Sequence, residues 1–225
     1  MNKAAFFDLD NTLVKGSSLF LLAKGLVQYK VLTRREILGF AIHNLKFIYS
    51  KTERLAIVDK LIPKGLQLLR NKNAQSLDSL CQAVVDEFLP SKLFKSISAL
   101  VEEHQTQGVD TWLVTASPIE IARSVARKLS MTGALGTLCE VKDGKYSGEL
   151  LSPVLHGALK AAAVRKLSDE ENYDLTECFA YSDSISDLPL LAAVGTPVVI
   201  NPNADLLALT AKNNWEVHYP SKTAA

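Results

Sequence analysis

An apolar run near the start of the chain ends in two acids separated by one residue, and this feature limits the possible folds most. The segment AAFFDLDNT places Asp8 and Asp10 directly after Phe6 and Phe7. Parallel strands are covered on both faces, so they are typically continuous apolar runs rather than alternating ones. Carboxylates are costly inside such a strand but fit its carboxyl end, where open α/β sheets bind ligands. The sequence therefore predicts a buried parallel strand that delivers two carboxylates to a ligand site.

The remainder of the chain predicts a helical block followed by alternating strands and helices. Residues 17–88 carry apolar residues at helical spacing. From about residue 92, helices alternate with the segments TWLVT, CFAYS, PVVI and WEVHY, which are typical of strands. Asp143-Gly144 joins two short strands of CEVKDGKYSGEL in a tight hairpin. We expect right-handed βαβ units, and therefore an α/β fold with a doubly wound parallel sheet.

The helical block predicts a separate unit inserted into this α/β core. We expect a Rossmann-like core of residues 1–15 and 90–225 and an all-helical cap of residues 16–89. Thr33 and Glu36 have the spacing of a reciprocal helix cap. The core of the cap is expected to consist of apolar side chains rather than to form a lipid or cofactor groove. These side chains are Phe20, Leu21, Phe40, Phe47 and Ile48.

Composition excludes several classes of protein. A formal net charge of +1, with 48% hydrophobic and 22% charged residues, predicts a soluble protein and gives no electrostatic basis for nucleic-acid binding. No apolar run has the length of a membrane anchor, and no basic leader precedes one, so we expect a cytoplasmic protein. The dispersed cysteines favour reduced structural thiols and no zinc site. We expect a monomer or weak dimer.

Residues that can carry chemistry follow three predicted parallel strands and begin one helix. Asp8 and Asp10 follow the first strand, Thr115 ends WLVT, and Asp183 and Asp187 follow CFAYS. Lys160 lies in the first turns of the helix GALKAAAVRKL. Because the carboxyl ends of parallel strands meet at one edge of a sheet, these groups are predicted to converge there although they are distant in sequence.

The converging groups favour a magnesium ion and a phosphate. Clustered carboxylates repel one another unless a cation lies among them, and oxygen ligands suit Mg²⁺. Lys160 supplies a positive charge and Thr115 a hydroxyl donor for a phosphate opposite the metal. Ser117 is predicted to cap a helix that has Pro118 at its first position, and the free amides of that helix start favour an anion.

Four segments in this order, DLDNT, LVTAS, the helical lysine and YSDSISDLPLL, resemble the motifs of the haloacid dehalogenase-like (HAD) superfamily, in particular its Mg²⁺-dependent phosphatases. The helical insertion resembles a type C1 cap. GSSLFLLAKGL and VGTPVVINPNADL are similar to subfamily IB, which includes phosphoserine phosphatase-like and histidinol-phosphate phosphatase-like enzymes and some that act on lysophospholipids or phosphatidylglycerophosphate. The resemblance covers almost the whole chain.

The resemblance implies a role for each residue of the constellation. Asp8 would be the nucleophile that forms an aspartyl-phosphate, and Asp10 would be the general acid and base. Mg²⁺ would be held by Asp8, the backbone carbonyl of Asp10, and Asp183. The phosphoryl group would be held by Thr115, Ala116, Lys160 and Ser186.

Two further residues are candidates for supporting roles. Asp187 would orient a metal-bound water or hold Lys160, or it would only cap its helix. Asn201 follows PVVI at the same predicted edge of the sheet and could touch the site.

The leading hypothesis is therefore an Mg²⁺-dependent hydrolase of a small organic phosphomonoester, of the phosphoserine, histidinol phosphate or lysophospholipid type. A signalling receiver domain, which also has a phosphorylatable aspartate, is disfavoured because Asp10 supplies the acid and base that turnover needs. A dehalogenase would need neither Asp10 nor a phosphate clamp, and a non-catalytic module would need no catalytic set. A phosphotransferase or phosphomutase stays open. The segments TAS and KGSS differ from those usual in phosphoserine phosphatases, which argues against phosphoserine itself.

Overall fold

A parallel sheet is the central layer of the computed structural model, which describes residues 2–43 and 62–220. Its strand order is β3-β2-β1-β6-β7-β8, and every neighbouring pair is parallel. A separate antiparallel hairpin is formed by β4 and β5. The strands are β1 Ala4–Phe7, β2 Asp110–Pro118, β3 Gly133–Thr137, β4 Cys139–Lys142, β5 Lys145–Leu150, β6 Phe179–Ser182, β7 Thr196–Ile200 and β8 Glu216–His218. The predicted α/β class with a doubly wound parallel sheet is confirmed.

Helices accompany the sheet, and most of the described residues between β1 and β2 are helical. They are α1 Ser18–Gln28, α2 Arg34–His43, α3 Ala74–Phe88, α4 Lys95–Thr106, α5 Ile119–Lys128, α6 Ala158–Glu171, α7 Leu188–Leu191 and α8 Ala204–Asn213. Residues 62–66 are also helical. Short 3₁₀ turns occur at Gln67–Leu69, Leu89–Ser91, Leu175–Glu177 and Ile185–Asp187. In the described part of the chain, none of the helices has the length and apolar character that a bilayer crossing requires.

Strand β1 lies at the centre of the sheet and is buried on both faces. Ala5 and Phe7 belong to a core cluster shared with α1, α3, α4 and α5. Ala4 and Phe6 belong to a second cluster on the other face, shared with α6, α7 and α8. This arrangement explains the continuous apolar run, because neither face of β1 meets water. It also places the carboxyl end of β1 where the chain winds outward in two directions, the usual ligand position in such sheets.

Strand β3 and the start of α5 differ from the sequence-based expectations. The strand GALGT was missed because it contains two glycines and little β-branched character. A side chain at Gly133 would collide with the ring of Trp112 on β2, so glycine is required there. Ser117 was predicted to cap a helix, and this was wrong: β2 continues through Pro118, and α5 begins after it without a side-chain cap.

The helical segment between β1 and β2 packs tightly on itself. Gly25 of α1 lies against Val84 of α3 so closely that a Cβ at Gly25 would clash with it. Leu21 is buried, but the prediction for Phe20 was wrong, because 71% of its surface is exposed. Phe40 is half-buried. Phe47 and Ile48 lie outside the described residues, and the division at residues 15/16 and 89/90 stays a prediction.

The predicted start of α2 is confirmed by a reciprocal cap. The backbone amide of Thr33 donates to the Glu36 carboxylate at 2.6 Å, and the Glu36 amide donates to the Thr33 hydroxyl at 3.2 Å. These bonds satisfy backbone donors that the first turn of a helix leaves unpaired. The helix therefore begins where the sequence pattern indicates.

The three cysteines are predicted to be unreactive in the native protein. Cys81, Cys139 and Cys178 are all free and buried. Burial, assisted by the charge of Glu120, raises the pKa of Cys81 and Cys139 to about 12 each, so few thiolates form at pH 8. With Ellman's reagent we expect almost no fast reaction in native buffer and three equivalents per chain in guanidinium chloride. A rapidly reacting native thiol would contradict this packing.

Candidate active site

The turn after β1 holds Asp8 and Asp10 at the carboxyl edge of the sheet. The Asp8 amide donates to the Tyr181 carbonyl of β6 at 2.9 Å, so the backbone of Asp8 is still part of the ladder. The turn then closes through the Asn11 amide, which donates to the Val14 carbonyl at 2.8 Å. Asn11 has a φ of 59°, a left-handed conformation that asparagine tolerates better than most residues. The two carboxylates therefore leave the sheet on a defined backbone.

A buried ammonium group connects Asp8 to a second acid. Lys160 Nζ lies 2.6 Å from Asp8 Oδ1 and 2.7 Å from Asp187 Oδ2. All three residues are almost fully buried, with exposed fractions of 6% or less. The Ser182 hydroxyl donates to Asp187 Oδ2 at 2.8 Å, which fixes that carboxylate from the end of β6. Asp187 is therefore bonded to Lys160, which is one of the alternatives that the sequence left open. The Asp187 side chain makes no capping bond to α7, which was another of them.

The positive and negative charges of this buried group do not cancel. Burial raises the pKa of Asp8 to about 7, with Lys160 opposing the shift and the charges of Asp187 and Asp183 adding to it. Burial lowers the pKa of Lys160, but the two adjacent carboxylates outweigh it, and the net shift is upward. The ammonium therefore stays charged at neutral pH. One cation faces several carboxylates, and the remaining negative charge favours a further cation at this edge.

Thr12 connects the nucleophile candidate to the loop after β6. Its hydroxyl donates to Asp8 Oδ2 at 3.2 Å and accepts from the Asp183 amide at 2.9 Å. Thr12 is fully buried, so these bonds are shielded from water. Thr12 and Ser182 were not among the predicted site residues, although both stand inside the quoted motifs DLDNT and YSDSISDLPLL.

Asp10 is held in a different environment from Asp8. Its Oδ1 accepts from the backbone amide of Ser18, the first residue of α1, at 2.8 Å. Burial raises the pKa of Asp10, while hydrogen bonds from Ser18 and Ser17 and the charge of Lys160 lower it. Two carboxyl groups two residues apart therefore face different partners, an ammonium for Asp8 and a helix amide for Asp10.

The end of β2 brings Thr115, Ala116 and Ser117 to the same edge. Thr115 is buried, and its Oγ1 accepts from the Ser117 amide at 3.1 Å, which leaves the hydroxyl proton of Thr115 available to a ligand. The Ala116 carbonyl accepts from the Thr137 hydroxyl at 2.6 Å, which fixes the backbone of this segment. The Ser117 hydroxyl lies 2.6 Å from the Ser18 hydroxyl of α1.

The remaining predicted site residues lie at the carboxyl ends of β6 and β7. Asp183 follows β6, is half-buried, and is close enough to raise the pKa of Asp8. The Ser186 hydroxyl lies 2.8 Å from that of Ser184. Asn201 follows β7 with a φ of 51°, and its amide donates to the His218 carbonyl at 3.0 Å. The roles of these three residues stay predictions.

The pattern of the haloacid dehalogenase-like hydrolase family matches residues 5–192, most of the chain. The chain belongs to this family. This segment begins in β1 and ends just after α7, so it contains all four predicted motifs. The family resemblance inferred from the sequence is confirmed.

Named relatives of this HAD protein include phosphatases. A Mycobacterium tuberculosis protein named phosphoserine phosphatase SerB1 is 40% identical over 217 residues, which cover 96% of this chain and 70% of that protein. A histidinol-phosphatase of Neisseria meningitidis is 27% identical over 229 residues, covering 96% and 98%. The predicted enzyme class, a phosphatase of the HAD superfamily, is confirmed at this level.

Solved structures share the fold. A Bordetella pertussis protein of unknown function superposes with a TM-score of 0.83 and 24% identity, over 96% of this chain and 98% of that one. A phosphoserine phosphatase in its apo form has a TM-score of 0.65 and 16% identity, over 99% and 95%. At these identities the likeness concerns architecture, and it supports the arrangement of strands and helices described above.

The donor chemistry at the sheet edge fits a magnesium ion. Asp8, Asp183 and the backbone carbonyl of Asp10 offer oxygen atoms alone, at a place where negative charge is in excess. Within residues 2–43 and 62–220, no three His, Cys, Asp or Glu side chains are grouped as a metal centre. Asp8 and Asp183 would contribute two side-chain ligands and Asp10 only its backbone. Protein sites for Mg²⁺ commonly have only one or two carboxylate ligands, because the ion completes its coordination shell with water and substrate phosphate.

Removal of the Lys160 charge is predicted to destabilise the folded protein. Lys160→Met would leave Asp8 and Asp187 buried without their cation, and breaking such a group costs roughly 3 kcal/mol or more. We expect a lower free energy of unfolding in urea at pH 7.5, followed by circular dichroism.

Lys166→Met is the matched control for this measurement. Lys166 lies on the same helix and pairs with Glu170 at 3.7 Å, but both side chains are largely exposed. Its unfolding midpoint should stay near that of the wild type. Equal midpoints for the two variants would show that the buried ammonium contributes nothing to stability.

Proposed function

We propose that this HAD protein is an Mg²⁺-dependent phosphomonoester hydrolase that acts through an aspartyl-phosphate on Asp8. The observation that carries the proposal is that two nearby carboxyl groups have different hydrogen-bond partners. Asp8 is bound to the Lys160 ammonium at 2.6 Å, whereas Asp10 accepts from a helix amide at 2.8 Å. Two carboxyl groups in different environments are suited to different chemical roles, in this case nucleophile and acid/base.

In the first step, an oxygen of Asp8 attacks phosphorus and the ester P–O bond breaks. The ammonium of Lys160 reduces the repulsion between the Asp8 carboxylate and the phosphate dianion. The Thr115 hydroxyl and the Ala116 amide donate to the phosphoryl oxygens. Asp10, whose pKa burial raises, gives its proton to the departing alkoxide, which leaves as a neutral alcohol.

In the second step, water replaces Asp8 on phosphorus. Asp10, now ionised, takes a proton from the attacking water as the bond between Asp8 and phosphorus breaks. Inorganic phosphate then leaves, and Asp8 is a free carboxylate again. Mg²⁺, held by Asp8, Asp183 and the Asp10 carbonyl, would supply Lewis-acid stabilisation of the charge on the transferring group. Asp187 and Ser182 keep the Lys160 ammonium at the site throughout.

The substrate is proposed to be a small organic phosphate of the phosphoserine, histidinol phosphate or lysophospholipid type. The support comes from the relatives named phosphoserine phosphatase and histidinol-phosphatase. A phosphotransferase on the same fold would share the first step and differ only in the acceptor of the phosphoryl group. Transfer to water is preferred because the chain belongs to a hydrolase family and these relatives are named phosphatases.

Phosphate release is predicted to require Asp8. The purified protein would be assayed with p-nitrophenyl phosphate, phosphoserine, histidinol phosphate and lysophosphatidic acid, with Mg²⁺ and with EDTA. We expect release only with Mg²⁺, and none above background from Asp8→Asn, because the amide cannot act as nucleophile. Hydroxylamine-sensitive labelling of Asp8 without phosphate release would contradict the hydrolase and favour the transferase.

Magnesium is predicted to stabilise the wild-type protein in the absence of substrate. A ligand that binds only the folded state at about 100 times its dissociation constant adds about 2.7 kcal/mol. We expect a higher melting temperature by scanning calorimetry with Mg²⁺ than with EDTA. Asp183→Asn should lose most of this increment, whereas Asp205→Asn, at the start of α8, should keep it. An equal increment in both variants would exclude Asp183 as a ligand.

A further inference from the structure

A pair of buried hydroxyl groups connects α1 to the end of β2 beside the proposed active site. Ser18 Oγ and Ser117 Oγ lie 2.6 Å apart, and both residues are only 2% exposed. They are separated by 99 positions in the sequence, so no local pattern predicts the contact. Neither residue belongs to the nucleophile, acid/base, phosphate or metal set proposed above.

The hydroxyl pair stands between two groups of the proposed reaction. On one side, the Ser18 amide donates to Asp10 Oδ1 at 2.8 Å. On the other side, the Ser117 amide donates to Thr115 Oγ1 at 3.1 Å. A continuous series of contacts therefore runs from the proposed acid/base through both serines to the proposed phosphate-binding threonine.

The Ser18 hydroxyl has two polar neighbours, the Ser117 hydroxyl at 2.6 Å and the Asp10 carboxyl, whose pKa the Ser18 side chain lowers by a hydrogen bond. A small cavity beside Ser18 is otherwise lined by apolar side chains, and a buried hydroxyl without a partner costs roughly 1–3 kcal/mol. The lining consists of Leu9, Val14, Leu21, Val84, Val85, Leu89, Ile121 and Val125. The Ser117 hydroxyl therefore contributes, together with Asp10, to the placement of the first turn of α1 against the sheet.

Other contacts already attach α1 to the protein. Leu21, Leu22 and Leu26 are buried in the core cluster, and Gly25 lies directly against Val84. The helix should therefore stay docked when one hydroxyl is removed. What the hydroxyl pair adds is a fixed position for the Ser18 amide, and through it for the Asp10 carboxyl, at the precision that proton transfer needs.

We propose that Ser18 and Ser117 form a positioning pair that holds Asp10 in place for proton transfer to the leaving group. The proposal rests on the proposed function. It assigns no chemical step to either serine: both act through the placement of Asp10. In this arrangement the acid/base is aligned only while the first turn of α1 is seated against the end of β2.

The leaving group provides a test that separates positioning of Asp10 from general damage. Departure of p-nitrophenolate needs little protonation, whereas an alkoxide needs a proton from Asp10, and general acid catalysis is worth about 10²–10⁴-fold. The ratio kcat/KM reports this step, because it extends from free enzyme to the first irreversible bond cleavage. We would measure kcat/KM for p-nitrophenyl, phenyl and alkyl phosphates with the wild type, Ser117→Ala, Ser18→Ala and the double variant.

For Ser117→Ala we expect a loss of about tenfold or more with the alkyl phosphate and less than about threefold with p-nitrophenyl phosphate. Inhibition by inorganic phosphate should be unchanged, because the Ser117 amide still supports Thr115. The double variant should lose no more than the worse single variant, because the two hydroxyls act as one unit.

Ser168→Ala is the control, because Ser168 is a buried helical serine like Ser18, but its hydroxyl donates to the Val164 carbonyl of its own helix. It should show no dependence on the leaving group. Losses that are equal for all leaving groups, or absent, in Ser117→Ala would overturn the positioning role. If that variant does not fold, Ser117→Cys, a weak donor of similar shape, carries the same comparison. Inactivity of the wild-type protein towards every ester would refute the proposed function itself. This outcome is measured on the wild type alone, so it can be distinguished from a failure of the positioning role.

Discussion

The buried ammonium of Lys160 is the interaction on which the rest of the site depends. It lies between Asp8, at the end of β1, and Asp187, after β6, and it is nearly inaccessible to water. Buried charges are tolerated only when they are paired, so these three segments must come together in one geometry. The same pairing keeps Asp8 next to a cation and leaves the site with excess carboxylate charge. This excess favours a cation at the same edge, and the ammonium together with such a cation would offset the negative charge of a bound phosphate.

The topology of the sheet determines which segments can reach this ammonium. Because β1 is central, the turn after it faces the ends of both β2 and β6. The helical segment inserted after this turn is connected back to the rest of the protein by several contacts. Ser18 contacts Ser117 at the end of β2. The Asn71 amide donates to the Tyr146 carbonyl of the separate hairpin β4–β5 at 2.9 Å. Lys128 of α5 pairs with Asp86 of α3 at 2.8 Å. The environment of Asp10 therefore includes a helix that comes from outside the sheet.

The sequence-based predictions that were wrong or missing have a common physical origin. Ser117 has the local pattern of a helix cap, but β2 continues through Pro118, and the Ser117 hydroxyl contacts a serine 99 positions away. The strand GALGT lacks the usual composition of a strand, but Trp112 of the neighbouring strand fills the space that the glycine leaves. Phe20 has the spacing of a core residue in α1 and still faces outward. In each case the outcome depends on a partner or a surface that local sequence does not specify.

The sequence by itself determined the alternation of strands and helices apart from β3, the position of Asp8 and Asp10 after a buried strand, and the presence of Lys160 near a helix start. These features are local, because periodicity, capping residues and runs of apolar side chains act over a few positions. Only the tertiary structure decided that Lys160 pairs with both Asp8 and Asp187, and that Ser18 holds Asp10 while it contacts Ser117. Such pairings join atoms that the packing of distant elements brings within hydrogen-bond distance, and no short stretch of sequence contains that information.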